Sequence, residues 1–251
     1  MLAIMNRALG GRIAFNFLAD SLENAREIWQ ASEGAVIFGV RVKDYPTSKL
    51  INMVSELKEE FGVVSLVLGD GDPNQWKKTT ELALKINPGH INQVFPALGY
   101  TVGALTARGI QDENIVNALV AFSGIPGKVT ISTGVLSRSS KTPAIVSVEA
   151  AMRMIKDVGG NSLKVLPFDS ELRMAELEAI VAEMVKQKMD IIEPTGRINE
   201  HNIQSILRIC LIDKRSLIIP HIHNAVLDPN KRTAPQRVEK IVSLAKSVMG
   251  L

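Results

Sequence analysis

The sequence has little cysteine, and Cys210 is the single thiol among 251 residues. An internal disulfide is therefore excluded, and a chain without one suits the reducing cytoplasm, where we expect this protein to work. Cys210 stands in the mostly apolar segment 206–211. We interpret it as a small buried hydrophobic side chain and not as a nucleophile.

Aromatic residues and charge of one sign are also scarce. Phe, Trp and Tyr make up 4% of the chain, and 29 Lys and Arg against 26 Asp and Glu leave a formal net charge of +3. The basic residues are dispersed, whereas a nucleic-acid partner needs a basic surface and rings that stack on bases, so we expect none. No apolar run approaches the length that spans a bilayer, so we expect no membrane partner either.

Loops that bind phosphate or metal through a fixed spacing are absent. The sequence contains neither Gly-x-Gly-x-x-Gly nor a Walker-type loop, which removes the main support for a nucleotide-binding fold. Asp70-Gly71-Asp72 resembles the beginning of a calcium loop, but the glycine and glutamate required downstream are missing.

What the sequence has is an alternation of strand-like and helix-like segments. This order predicts right-handed βαβ units and a parallel sheet. About eight units in this length favour an α/β fold with one domain, residues 1–251, forming a (β/α)8 TIM barrel. The predicted strands are 13–19, 35–42, 63–68, 90–98, 128–133, the segment around Lys164, 189–194 and 217–226, with helical material from the fourth strand to residue 121.

Polar residues gather where these strands end. In such a barrel the active site lies at the carboxyl ends of the strands, where the loops that lead to the helices meet. Each residue alone is a weak signal, and their shared position is the stronger evidence. The side chains expected to converge there are Arg41, Lys43, Asp70, Asp72, Arg138, Lys164, Glu193, His221 and His223.

Lys164 stands inside an apolar strand-like run. Burying an ammonium is costly, and burial lowers the pKa of a lysine, so the amine can be neutral and nucleophilic near pH 7. Lys164 is therefore the candidate for covalent chemistry. The alternative is a lysine whose stem packs on apolar surface while its ammonium reaches solvent.

Residues 194–199, Pro-Thr-Gly-Arg-Ile-Asn, have the features of an anion-binding turn. Gly196 lets the backbone approach a ligand, Asn199 can cap the next helix, and free N–H groups at a helix start favour an anion. The loops after strands seven and eight of such barrels frequently form a phosphate site, where Arg197, Lys231 and Arg232 would add positive charge. The alternative is an ordinary turn between strand and helix with exposed basic residues.

These two segments resemble a known family. Residues 163–167, Leu-Lys-Val-Leu-Pro, resemble the Lys-Phe-Phe-Pro strand of the 2-keto-3-deoxy-6-phosphogluconate aldolases, whose lysine forms a Schiff base with pyruvate. Residues 194–198 resemble the Pro-Thr-Gly-Gly-Ile phosphate turn of that family, at the spacing of its sixth and seventh strands. Over its length the chain looks most like the longer branch of these enzymes, which is associated with D-glucosaminate breakdown.

The resemblance implies a class I aldolase that needs no cofactor. By residue matching, Lys164 is the Schiff-base lysine, and Thr195 and Gly196 are ligand-binding positions. The chain departs from the family where Arg197 replaces the second glycine of the phosphate turn and Leu166 replaces a phenylalanine. Arg197 could replace a backbone contact by a charged one, or it could close the pocket.

The general base of the shorter enzymes is also missing. That base is a glutamate four residues before an arginine on an early strand, and Ile37 stands four residues before Arg41. We predict Glu193 as its replacement, because alternation along a strand turns Glu193 and Thr195 to the same side. The alternative is a glutamate that pairs structurally with an arginine. Weaker candidates are Asp44 and Asp70.

His221 and His223 alternate with one apolar residue, so both imidazoles face the same side of their strand. Such a pair can hold a divalent metal, with Asp70 or Glu193 as further ligands, which would make the protein a metal-dependent lyase. Two histidines beside an anion site are more often hydrogen-bond donors, so we predict no metal and assign both to substrate binding. A barrel that binds a sugar phosphate without turnover is the second alternative.

We predict cleavage of 2-dehydro-3-deoxy-6-phosphogluconate into pyruvate and glyceraldehyde 3-phosphate, with Lys164 and Glu193 as catalytic residues. Arg41 and Lys43 are placed to bind the carboxylate, and residues 195–197 would hold the phosphate. If the phosphate contacts are dispensable, 4-hydroxy-2-oxoglutarate becomes the better substrate. The expected partner is thus a small phosphorylated keto-deoxy sugar acid, and we also expect a homo-oligomer that associates through outer helices.

Overall fold

The computed structural model describes the backbone of residues 2–251 and the side chains from Ile4 onward. Strands and helices alternate along the chain. The strands are β1 (Phe15–Leu18), β2 (Val36–Arg41), β3 (Val64–Val67), β4 (Gly89–Val94), β5 (Ile115–Phe122), β6 (Lys128–Thr130), β7 (Ile145–Ser147), β8 (Ser162–Leu166), β9 (Ile191–Pro194) and β10 (Leu217–Ile218). The α-helices are α1 (Leu2–Met5), α2 (Leu22–Ala31), α3 (Thr47–Phe61), α4 (Trp76–Ile86), α5 (Leu98–Ala107), α6 (Val148–Asp157), α7 (Leu172–Gln187), α8 (Ile203–Cys210) and α9 (Pro235–Met249).

Within residues 2–251, eight of the strands run parallel and close into a barrel. Their order is β1-β2-β3-β4-β5-β8-β9-β10, and each is hydrogen-bonded to the next. Parallel bridges from Ile13 to Ile218 and from Asn16 to His221 join the segment of β10 to that of β1 and complete the ring. The predicted (β/α)8 TIM-barrel fold is confirmed. The carboxyl ends of these strands therefore meet at one end of the barrel.

The fifth barrel strand is not the one that the sequence predicts. It is β5, in a segment predicted to be helical, whereas the predicted strand 128–133 contains only the short β6, which pairs antiparallel with β5 and β7. The residues of β5 include alanine and leucine, which favour helices, and they lack a simple alternation because nearly all are buried. Two other strands end at least four residues earlier than predicted, since β4 ends at Val94 and β10 ends at Ile218.

Local signals set several helix boundaries. Oγ of Ser21 accepts a hydrogen bond from the N–H of Asn24 at 3.2 Å and caps α2, and Oγ of Ser147 caps α6 at 3.1 Å from the N–H of Ala150. Pro235 occupies the first position of α9, where its missing N–H would have no partner in the helix. No helix in the described range 2–251 is both long enough and apolar enough to cross a membrane.

The interior of the barrel changes from apolar to polar along its axis. Near the amino ends of the strands, apolar side chains pack with Ile4 of α1: Ala14, Ile37, Ile115, Ile191, Leu217 and Ile219. Toward the carboxyl ends the buried side chains are polar: Asn16, Ser65, His90, Asn92, Asn117, Ser162, Lys164, Glu193 and His221. Buried polar groups are stable when they are hydrogen-bonded, so this half of the barrel requires a connected network.

Candidate active site

A cavity of about 720 Å³ opens at the carboxyl ends of the strands. Its wall includes Asn92, Asp70 and most of the other site residues that the sequence predicts, namely Lys164, Thr195, Gly196, Arg197, His221 and His223. Five further predicted residues are not among the lining side chains of the described chain: Arg41, Lys43, Asp72, Arg138 and Glu193.

Lys164 of β8 is 5% exposed, and its amine reaches the cavity from inside the barrel. Its Nζ donates a hydrogen bond to Oδ1 of Asn92 at 2.5 Å and lies 3.0 Å from Nδ1 of His221. In the described part of the chain, no carboxylate oxygen lies within 4.0 Å of this amine. Burial lowers the pKa of Lys164 to about 8 from an ordinary value of 10.5, although the negative charge of Glu193 acts in the opposite direction.

Glu193 of β9 is fully buried beside this amine and accepts four hydrogen bonds. Oε1 accepts from Oγ of Ser162 at 2.6 Å and from Nε2 of His90 at 3.0 Å. Oε2 accepts from Nε2 of His221 and from Nδ2 of Asn117, each at 2.7 Å. Burial would raise the pKa of Glu193, but its interactions with His90 and His221 hold the pKa well below the ordinary value of 4.5. Glu193 is therefore an ionised carboxylate whose oxygens are fully occupied.

The carboxylate fixes the direction of the surrounding hydrogen bonds, because it can only accept. Nε2 of His90 must be a donor, which leaves Nδ1 of His90 to accept from Oγ of Ser65 at 2.7 Å. Oγ of Ser65 in turn accepts a hydrogen bond from Nδ2 of Asn92 at 2.9 Å. Oδ1 of Asn92 accepts hydrogen bonds from Nζ of Lys164 and from Nδ2 of Asn117. The network thus runs from Glu193 through the barrel and back to the amine.

The sequence did not point to His90, Asn92, Asn117, Ser65 or Ser162. A signal was nevertheless present, because His90 and Asn92 alternate in one apolar strand, as Ser162 and Lys164 do in another. Alternation places such pairs on one face of a strand, and in a barrel one face of every strand points inward. Asn117 gave no comparable signal, since it stands alone in β5, which was predicted to be helical.

His223 lies on the same side as His221 but is held differently. Its Nε2 contacts Oδ1 of Asn16 at 3.0 Å, and Gly39 leaves the space for Asn16, because a Cβ at Gly39 would lie 2.7 Å from Oδ1. Burial, with the positive charges of Lys164 and Arg41, lowers the pKa of His223 to about 3. His223 is therefore a neutral side chain in the wall of the cavity.

The donor atoms of His90, Glu193 and His221 lie within 4.8 Å of one another, a spacing that a metal ion could use. This set contains His221 but not His223, so the predicted pair of histidines does not converge on one point. Each oxygen of Glu193 already accepts two hydrogen bonds, and the ring nitrogens that face it are their donors. A metal would have to replace these hydrogen bonds, so the donor chemistry favours a polar network over a metal centre.

Arg41 and Lys43 both pair with Asp70 at the end of β3. Nη2 of Arg41 lies 2.9 Å from Oδ2 of Asp70, and Nζ of Lys43 contacts the same oxygen. The hydrogen bond from Lys43 lowers the pKa of Asp70, with Arg41 acting in the same direction. Asp70 lines the cavity, whereas Arg41 and Lys43, which pair with its carboxylate, do not. The role of these two cations in substrate binding stays a prediction.

The turn after β9 lines the cavity and contains backbone donors without a protein partner. Gly196 and Arg197 have φ values of +81° and +58°, so Arg197 adopts a left-handed backbone that glycine favours. In the described chain the N–H groups of Gly196, Arg197 and Ile198 donate to no protein acceptor. Helix α8 starts at Ile203, four residues later than Asn199, the helix start predicted from the sequence.

The positive charge around this turn is smaller than predicted. Lys231 and Arg232 are not among the cavity-lining residues of the described chain, and Nη2 of Arg232 lies 2.7 Å from Oε2 of Glu27. Arg197 lines the cavity directly. Three free backbone N–H groups and one guanidinium form the kind of site that binds a phosphate or a carboxylate.

Comparison with known proteins gives the family. The family model for KDGP aldolase matches residues 9–230. The chain belongs to the KDGP aldolase family. A 2-dehydro-3-deoxy-phosphogluconate aldolase of Salmonella typhimurium is 37% identical over 240 residues, which cover 95% of this chain and 96% of the relative. The family resemblance predicted from the strand at Lys164 and the turn at Thr195 is confirmed.

Solved structures share the fold at low sequence identity. A 3-dehydroquinate dehydratase from Aquifex aeolicus has a TM-score of 0.58 at 12% identity and covers 95% of this chain and 100% of its own. The thiamine phosphate pyrophosphorylase from Pyrococcus furiosus has a TM-score of 0.57 at 15% identity, over 94% of this chain and 97% of that one. A native KDPGal structure reaches 0.56 at 12% identity, over 95% and 96%. These likenesses support the barrel fold alone.

Proposed function

We propose that this chain is a class I aldolase that cleaves 2-dehydro-3-deoxy-6-phosphogluconate into pyruvate and glyceraldehyde 3-phosphate. The observation that carries the proposal is the amine of Lys164. It is buried, it has no carboxylate partner within 4.0 Å in the described chain, its pKa is about 8, and it faces the cavity that the turn at residues 195–198 also lines. The relative from S. typhimurium, named for a phosphogluconate, supports the substrate class.

The amine starts the reaction by attacking the C2 ketone of the substrate. The bond from Nζ of Lys164 to C2 forms while the carbonyl electrons move to oxygen, and loss of water gives an iminium. A base removes the C4 hydroxyl proton, the C3–C4 bond breaks, and its electrons move into the iminium to give the enamine of pyruvate and a free aldehyde. Protonation of C3 and hydrolysis then release pyruvate and restore the amine.

The turn at residues 195–198 would hold the phosphate at the far end of the substrate. The free N–H groups of Gly196, Arg197 and Ile198 can donate to phosphate oxygens, and the guanidinium of Arg197 adds a charged donor. Thr195 is fixed by its backbone N–H, which donates to the carbonyl of Val165 at 3.0 Å, so the turn is tied to the strand that carries Lys164.

Borohydride reduction in the presence of pyruvate tests the covalent step. Borohydride converts an iminium into a stable amine, so peptide mass spectrometry should find one pyruvate adduct on Lys164. Lys186→Met, at an exposed position of α7, should give the same adduct. Labelling at Lys43 or Lys141 would move the active site, and the absence of any adduct would contradict a class I mechanism.

Arg197→Gly tests the phosphate site. Glycine tolerates the φ of +58°, so the substitution should remove the guanidinium without disturbing the turn. We expect KM for the phosphorylated substrate to rise roughly tenfold or more, which is the loss of one charge-assisted hydrogen bond. Steady-state kinetics should show that KM for 4-hydroxy-2-oxoglutarate, which has no phosphate, changes little.

Lys188→Gly is the matched control for Arg197→Gly. Lys188 is also a cation at positive φ, +52°, but it ends α7 and does not line the cavity. Its substitution should leave both KM values unchanged and affect unfolding to a similar small extent. If Arg197→Gly raises KM equally for both substrates, the guanidinium does not read the phosphate.

A further inference from the structure

We infer that His221 carries the protons that Lys164 loses and regains while the Schiff base forms and breaks, and that Glu193 positions His221 for this task. This inference rests on the proposed function and adds one catalytic residue and one positioning residue to it. Glu193 then supports a base, whereas the sequence predicts that it is the base itself.

The first observation is the contact between the amine and the ring. Nζ of Lys164 lies 3.0 Å from Nδ1 and 3.5 Å from Nε2 of His221. These similar distances place the amine against the face of the ring beside Nδ1, because an atom in line with the lone pair of Nδ1 would lie much farther from Nε2. The lone pair of Nδ1 lies in the ring plane, and no other donor of the described chain contacts it. A proton therefore passes between Nζ and Nδ1 through an oxygen in the cavity, first that of a water molecule and then that of the carbinolamine, which lies in the ring plane beside both nitrogens.

The second observation is the hydrogen bond that fixes the tautomer. Nε2 of His221 lies 2.7 Å from Oε2 of the ionised Glu193, so the ring proton must be on Nε2. Nδ1 is then the basic nitrogen, and it is the one beside the amine. A carboxylate behind a histidine also stabilises the imidazolium that forms when Nδ1 takes a proton.

The third observation is how the charges are arranged. Burial and the positive charge of Lys164 hold the pKa of His221 well below its ordinary value. When the proton leaves Lys164, that repulsion disappears, while the attraction of Glu193 for an imidazolium remains. Transfer from Lys164 to His221 therefore moves one positive charge within the buried group without adding a charge that would have to be desolvated.

Lys164 and His221 together account for every proton that moves while the Schiff base forms. The ammonium of Lys164 carries three hydrogens, of which one stays on the iminium and two leave in the water that is formed. The first passes through a water molecule in the cavity to Nδ1 of His221, which frees the amine to attack C2, and Nδ1 then gives it to the new carbinolamine oxygen. The second leaves the carbinolamine nitrogen by the same route as the C–O bond breaks, and its electrons form the iminium.

The other groups around His221 are committed elsewhere. Its titratable neighbours in the described chain are Lys164, Glu193, His90 and His223, and the ring centroids of both histidines lie 6.0 Å away. His90 bonds to Glu193 and Ser65, and His223 bonds to Asn16. His221 is therefore the group placed to exchange a proton with Nζ.

Rapid mixing with pyruvate followed by borohydride at timed intervals tests the transfer. In His221→Asn a carboxamide replaces the imidazole and cannot relay a proton, so the rate of adduct formation on Lys164 at pH 7 should fall roughly 10²-fold or more. The final yield after long incubation should stay near that of the wild type, because the nucleophile is intact. The rate should also rise with pH toward about 8, since the neutral fraction of Lys164 then limits it.

The control is His201→Asn, at an exposed position. In this variant the adduct on Lys164 should form at the wild-type rate. A wild-type rate at pH 7 in His221→Asn would overturn the role of His221, whereas absence of an adduct in the wild type would overturn the proposed function instead. Should His221→Asn fail to fold, nitrogen-15 NMR of the wild type decides. The tautomer with the proton on Nε2 of His221 is required, and a proton on Nδ1 excludes the relay.

The positioning role of Glu193 has its own readout. In Glu193→Gln the side chain can donate as well as accept, so the preference for a proton on Nε2 of His221 should weaken, and NMR should show a mixture of both tautomers. The trapping rate should fall with it, while KM for the substrate changes little. An unchanged tautomer together with an unchanged trapping rate would reduce Glu193 to a structural residue.

Discussion

Lys164→Met is expected to abolish aldol cleavage, with a loss of about 10⁴-fold or more in kcat/KM. Methionine fills a similar space without an amine, so the cavity should keep its shape while the electron sink is lost. Steady-state turnover of the phosphorylated substrate measures the effect, and Lys186→Met on the surface of α7 should keep wild-type activity. Activity within tenfold of the wild type in Lys164→Met would exclude Lys164 as the nucleophile.

The same substitution is expected to stabilise the fold at neutral pH. Unfolded Lys164 binds its proton up to about pH 10.5, whereas the folded protein binds it only up to about pH 8. Between these values the unfolded state holds more protons, so stability rises with pH, and below pH 8 the buried ammonium costs about 3 kcal/mol. The substitution also removes the hydrogen bond to Asn92, which lowers the free energy of unfolding by about 1 kcal/mol. The net gain in the free energy of unfolding is therefore about 1–2 kcal/mol.

Urea denaturation at two pH values separates this effect from ordinary repacking. Lys164→Met should be more stable than the wild type at pH 7, and the difference should shrink toward pH 10, where the wild-type amine is neutral. Lys186→Met should show no such dependence, since its ammonium is exposed. A variant that is less stable than the wild type at both pH values would mean that the amine is not strained by burial.

The sequence predicts those parts of the site that depend on local pattern. Lys164 stands out as a charge within an apolar run, and His221 and His223 as alternating imidazoles. The turn is recognisable because Gly196 and its neighbours match a backbone shape that few residues adopt. Each of these signals lies within about seven residues of sequence, the range over which strand and turn geometry act directly.

The remaining features depend on contacts between distant segments. Arg41 and Lys43 are paired with Asp70 at the end of another strand, and no spacing rule connects these positions. Glu193 and Asn117 lie 76 residues apart, yet their side chains meet inside the barrel. A sequence pattern shows which face of a strand is inward, but the register between strands decides which inward side chains touch.

Glu193→Leu is expected to remove about 3–5 kcal/mol of unfolding free energy. Leucine is apolar and accepts no hydrogen bond, so the buried donors on Ser162, His90, Asn117 and His221 would lose their acceptor. Unpaired buried donors cost more than the original hydrogen bonds contribute, because they cannot return to water. Glu149→Gln, which breaks an exposed pair with Arg153, should cost about 0.5 kcal/mol or less.

The contribution of Glu193 to the free energy of unfolding should decrease as the pH falls into the acid range. The pKa of the folded carboxyl lies well below 4.5, so the unfolded chain binds its proton first as the pH falls. The stabilisation by Glu193 is therefore complete above about pH 4.5 and is lost progressively below it. Urea denaturation should show a large difference between wild type and Glu193→Gln at pH 7 and a smaller one at pH 3, and a constant difference would mean that Glu193 is buried in its protonated form.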